Sequence, residues 1–102
     1  MTHTQDSIRH LLATNDRAVE RALVVLYDRQ EADEKVSDET RHDNNVGFNS
    51  ADARKLSYYA RWVISGRHLD GWHLMEARRR VGKYSRQLLE AAEAKTAAKA
   101  AV

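Results

Sequence analysis

The sequence predicts an all-α fold: a three-helix bundle with a long C-terminal helix and an antiparallel hairpin between helices 2 and 3. Three observations predict it. The 102 residues contain no proline and only four glycines, so little interrupts a helical backbone. Apolar residues recur with a 3.6-residue period in three separate stretches. Two short polar segments, around Gly47 and Gly66, punctuate those stretches with helix stop and start signals.

The first predicted helix spans residues 5–34, with Ile8, Leu11, Leu12, Ala18, Val19, Ala22, Leu23 and Leu26 on one face. Thr14-Asn15-Asp16 interrupts the stripe with side chains that cap helices better than they fill them, so a break is expected at 14–16. Residues 35–48 lack periodicity and read as a polar connection. The second helix, 50–65, starts in NNVGFNSADA. There Gly47 suits a positive φ, Asn49 suits the N-cap, and Asp52 stands three residues on as a capping-box partner. Phe48 and Ala53 are placed as a hydrophobic staple, and Gly66 ends the helix. The third helix, 71–95, is capped by Asp70 and stapled by Leu69 and Leu74, with residues 96–102 as a frayed tail. About five residues join helices 2 and 3, which makes them antiparallel neighbours. Their core stripes are Ala53, Leu56, Tyr59, Ala60 and Val63, and Leu74, Ala77, Val81, Tyr84 and Leu88.

Composition and charge narrow the function. A chain of this length forms a single domain, residues 1–102. It has no cysteine, which rules out disulfides and thiolate metal sites. Its longest apolar run, ALVVLY, is far short of a membrane span, so no membrane partner is expected and the setting is taken as cytoplasmic. The net charge of +2 hides a strong asymmetry. Residues 28–43 hold seven acids and three bases, whereas residues 54–86 hold nine bases and two acids. No ligand quartet, nucleotide loop or acid–base pair is present, so neither a cofactor, a metal nor catalysis is expected.

The stretch RKLSYYARW, residues 54–62, places cations between large aromatics. At 100° per residue, Arg54, Tyr58 and Arg61 lie opposite the buried stripe of helix 2, with Lys55 and Trp62 on a flank. On helix 3, Trp72, Glu76, Arg79, Lys83, Arg86 and Glu90 point outward, and Arg80 flanks the seam. Phosphates need cations and bases need rings to stack on, so Arg54, Lys55, Tyr58, Arg61, Trp62, Arg79, Arg80, Lys83 and Arg86 form a candidate nucleic-acid surface. DNA is favoured over RNA. A helix-turn-helix version would present Trp72, His73, Met75, Glu76 and Arg79 to a major groove. The bland reading is a solvated face tied by Glu76–Arg80 and Arg86–Glu90 pairs. The rival function is a host-directed factor that inhibits or modulates a bacterial protein. Exposed tryptophan and the long third helix also admit a homodimer.

Three stretches carry a resemblance: LYDRQEADE (26–34), NNVGFNSADA (44–53) and LDGWHLMEARRRVGKYSRQL (69–88). Their order resembles a small helical module of phage and mobile-element proteins, sometimes appended to helicase-like ATPases, with a GFN..DA pattern followed by KY..QL. The module often has Ser and Gln near the start of its last helix, where this chain has Asp70 and His73. The resemblance implies a phage origin and a setting in DNA metabolism, and it points to no active site.

Overall fold

The computed structural model describes residues 3–36 and 47–100. Most of the expected polar connection (37–46) and the last two residues of the expected tail lie outside the described residues. The fold is all-α: α1 is Gln5–Thr14, α2 Asp16–Val36, α3 Ala53–Ile64, α4 Gly71–Val81 and α5 Ser85–Ala100. A single 3-10 turn, Gly82–Tyr84, joins α4 to α5, and the backbone stays right-handed through it, so the two run on as the long C-terminal helical stretch.

Local chemistry explains the boundaries. Thr4 caps α1 in a reciprocal box with Ser7: the Ser7 amide donates to Thr4 Oγ1 at 3.0 Å, and the Thr4 amide donates to Ser7 Oγ at 2.9 Å. The break expected at 14–16 falls on Asn15, which is extended (φ −127°). Its Oδ1 accepts the Ala18 amide at 3.1 Å and so opens α2. Asn49 does cap the next helix, accepting the Asp52 amide on its side chain (2.9 Å) and the Ala53 amide on its carbonyl (2.9 Å). Regular helix nevertheless starts at Ala53 rather than 50, because a turn over 50–52 intervenes. The helical stretch expected to end at 95 continues as α5 to Ala100.

The core is one cluster in which α2 touches every other helix. Val19, Leu23, Leu26, Leu56, Ala60, Ala77 and Val81 are fully enclosed. Burying each of these leucines and valines contributes roughly 1.5–3 kcal/mol. Leu11, expected in the first stripe, is 37% exposed. The α3–α4 pair is an antiparallel hairpin, because its cross-contacts run in opposite order along the two chains. Asp52 meets Arg80, Lys55 meets Glu76, Tyr59 meets His73, and Trp62 meets His68.

Candidate nucleic-acid interface

Two buried carboxylates clamp the hairpin, one at each end. Asp52 leaves the capping role expected for it and turns inward, with no exposed surface. It accepts from Arg80 Nη1 at 2.7 Å, Tyr84 Oη at 2.7 Å and Lys83 Nζ at 2.8 Å. Burial alone would raise its pKa, but the hydrogen bonds from Lys83, Tyr84 and Arg80 prevail and hold it below the ordinary carboxylate value. Burial, and then the bond to Asp52, push the Tyr84 hydroxyl up. Tyr84 Oη also accepts the Asn49 amide at 3.0 Å, and Gln87 pairs with Gly47 in both directions at 2.8 and 2.9 Å. The GFN..DA and KY..QL stretches are therefore the two halves of one lock.

Glu20 serves the far end. It accepts the Leu69 amide at 2.8 Å and His68 Nδ1 at 3.0 Å, with Arg17 at 3.1 Å. Burial opposes its ionisation; the bonds from Leu69, His68 and Arg17 outweigh that and lower its pKa. Between the clamps, Tyr59 donates to Glu76 at 2.8 Å. Burial, with this bond, raises the Tyr59 hydroxyl to about 12.

Against this frame the predicted surface divides. Arg54, Arg61, Arg79 and Arg86 are exposed and make no ion pair among the described residues. Arg80 and Lys83 are held by Asp52, and Lys55 is held by Glu76 at 3.1 Å, so these three are partly neutralised by the fold. Glu76, expected to face outward, has a side chain only 11% exposed and turns back to Tyr59, Lys55 and Arg80. That removes one of the five residues expected in a major groove. The expected Arg86–Glu90 pair is replaced by Arg29–Glu90 at 3.7 Å. Trp62 is half-buried; its Nε1 donates to the His68 carbonyl at 3.2 Å and the Arg67 guanidinium lies over its ring at 4.4 Å.

What the structure gathers is an open groove of about 630 Å³ along the hairpin. Arg54, Lys55, Tyr58, Arg61 and Arg80 line it together with Trp72 and His73, whereas Arg79, Lys83 and Arg86 do not. Tyr58 is 52% and Trp72 60% exposed, and Trp72 stacks on His73 with centroids 4.4 Å apart. Lys55 Nζ sits 5.7 Å from the Trp72 ring. A smaller notch of about 70 Å³ adjoins the groove and shares Tyr58, Tyr59 and His73 with it. The groove's combination of unpaired guanidinium groups and exposed rings can hold phosphate and stack bases.

Sequence reasoning missed the two buried carboxylates and the pairing of His68 with Glu20 and of His73 with Tyr59. A polar Gln87 beside the apolar Tyr84–Leu88 seam was the available signal for the lock, because a buried amide needs two fixed partners. Comparison with protein-family models, with curated proteins and with solved structures finds no match to this chain.

Proposed function

We propose that the chain is a non-catalytic accessory protein of phage origin that contacts nucleic acid, DNA ahead of RNA, through the open side of the α3–α4 hairpin. The observation that carries this reading is the groove. Arg54 and Arg61 reach it with no acid to satisfy them among the described residues, and Tyr58 and Trp72 offer rings beside them. Lys55, Arg80 and Lys83 are drawn to carboxylates whereas Arg54 and Arg61 are not, so unpaired arginines flanked by exposed aromatics mark this stretch as a place for an external anion. The phage origin rests on the order of the GFN..DA and KY..QL stretches.

A titration of the intrinsic tryptophan fluorescence with a short single strand and with a duplex, at low and moderate salt, tests it. Saturable quenching that weakens with salt is the expected result. Arg54→Ala with Arg61→Ala should reduce the slope of log affinity against log salt by about 1–2. Tyr58→Ala should weaken binding by roughly 1–3 kcal/mol and leave the slope alone. A folded protein that gives no response at low salt would refute the reading. A second reading, a protein partner in the host, draws on Trp72 and Met75. These lie three residues apart on α4 and are 60% and 68% exposed. That partner would bind with little salt dependence and lose affinity on Trp72→Ala.

A further inference from the structure

The notch beside the groove has a composition that the groove does not share. Tyr58, Tyr59 and Trp62 supply aromatic walls, and His68, Asp70 and His73 supply polar atoms. Hydrogen-bond accounting fixes what those atoms can do. Tyr59 has one hydroxyl proton and gives it to Glu76 at 2.8 Å, so His73 Nδ1, 3.2 Å from the same oxygen, is the donor of that pair. His68 Nδ1 is already engaged, by the Glu20 carboxylate at 3.0 Å and by the Arg17 guanidinium. Asp70 stands at the N-cap of α4, yet its side chain makes no capping hydrogen bond. Among the described residues its carboxylate has no partner, which leaves two acceptor oxygens. The notch is therefore an aromatic-walled site bordered by an acceptor carboxylate.

Such a site takes a flat group that donates hydrogen bonds, and two chemistries fit: an arginine or lysine head, and the edge of a nucleobase. The neighbourhood decides between them. The groove that opens beside the notch is lined by Arg54, Lys55 and Arg61, which repel a cationic peptide and attract a phosphate. A nucleotide satisfies both halves at once. At about 70 Å³ the notch has room for about two waters' volume, enough for the edge of a base but not the whole ring. The body of the base would stay on the exposed Tyr58 face, because Arg67 already covers Trp62. Among bases, guanine presents two adjacent donors, N1–H and the N2 amino group, which match the two oxygens of a carboxylate. Thymine presents one N–H between two carbonyls, and adenine presents one amino group beside an acceptor.

We infer that the Tyr58–Asp70–His73 notch is a base subsite that selects guanine within a single strand held by the adjoining groove. This rests on the nucleic-acid reading above, and the test separates the two. Fluorescence anisotropy would compare three strands of about twelve nucleotides. One is thymidine only, one carries a central deoxyguanosine, and one a central deoxyadenosine. The deoxyguanosine strand is expected to bind about tenfold tighter than the other two. Asp70→Asn, which disturbs no capping bond, should remove that difference by setting an amide donor against the donors of guanine. Equal, salt-sensitive affinity for all three strands would overturn the subsite and leave the proposed function standing. A guanine preference that survives Asp70→Asn would overturn the role of the notch. Failure to bind any strand, with binding of an oligoarginine peptide instead, would overturn both.

Discussion

Asp52 stays ionised without any exposed surface because three donors surround its two oxygens. An asparagine there keeps one acceptor oxygen for three donors, so at least one of Arg80, Lys83 and Tyr84 loses its partner. Asp52→Asn is expected to cost about 2–3 kcal/mol, as hydrogen bonds to a charged group are lost while Arg80 and Lys83 recover some hydration. Tyr84→Phe keeps the ring against Phe48 but removes the hydroxyl that joins Asp52 to the Asn49 amide. About 1–2 kcal/mol is expected there, with an unchanged dependence on denaturant. Urea unfolding followed by circular dichroism measures both, and a loss below about 0.5 kcal/mol for Asp52→Asn would refute the lock. At this scale the sequence reading erred for a definite reason. Spacing from Asn49 made Asp52 a helix-start acid, and only the positions of Arg80 and Tyr84 in space reveal it as a buried hub.

Where helices begin and end depends on single glycines, and the two at the ends of α3 differ in what surrounds them. Gly47 has φ +76°, and an added Cβ would stand 2.4 Å from Gln30 Cβ and 2.9 Å from its Cα. Neither atom is the far end of a flexible side chain, so α2 itself would have to move. Gly66, at φ +97°, would point a Cβ into open space. Gly47→Ala should therefore cost about 2–4 kcal/mol, from backbone strain plus overlap, and Gly66→Ala about 1–2 kcal/mol from strain alone. Thermal unfolding of the two variants would show the difference, and equal shifts would contradict the close approach of Gly47 to α2. Much of this scale was legible in the sequence. The 14–16 break, the Asn49 cap, the Gly66 stop and the antiparallel hairpin all arise from local chemistry that short stretches carry. The 3-10 turn at Gly82–Tyr84 was not legible, because the a/d spacing of Val81, Tyr84 and Leu88 continues through it undisturbed. The candidate site was half legible for a related reason. Periodicity shows that Arg54, Tyr58 and Arg61 face outward, but it says nothing of Lys55, Arg80 and Lys83 being drawn to acids on other elements.

The hairpin is held at both ends by acids whose ionisation the fold favours, and this makes the stability of the whole molecule depend on pH. Glu20 and Asp52 are both lowered from their ordinary values of 4.5 and 3.8. Between the lowered and the ordinary value, the unfolded chain binds more protons than the folded one, so stability rises with pH there. Each contribution is complete above the ordinary value and disappears as pH falls through the lowered one. Stability should thus be level above about pH 5.5 and drop steeply below about pH 4. The two groups act independently. Asp52 precedes α3 and the Glu20 contact at Leu69 follows it, and twelve helical residues put roughly 18 Å between them. Glu20→Gln and Asp52→Asn should each flatten part of the acid limb, and the double variant should lose more of it than either, with Glu76 keeping a remainder, while being less stable at neutral pH. Urea midpoints measured from pH 3 to pH 7 provide the comparison. An acid limb in the double variant parallel to that of the unmodified chain would mean that carboxylates elsewhere govern acid unfolding. The limb should shift to lower pH on adding a strand that binds the groove, since a ligand held only by the folded hairpin stabilises it by mass action.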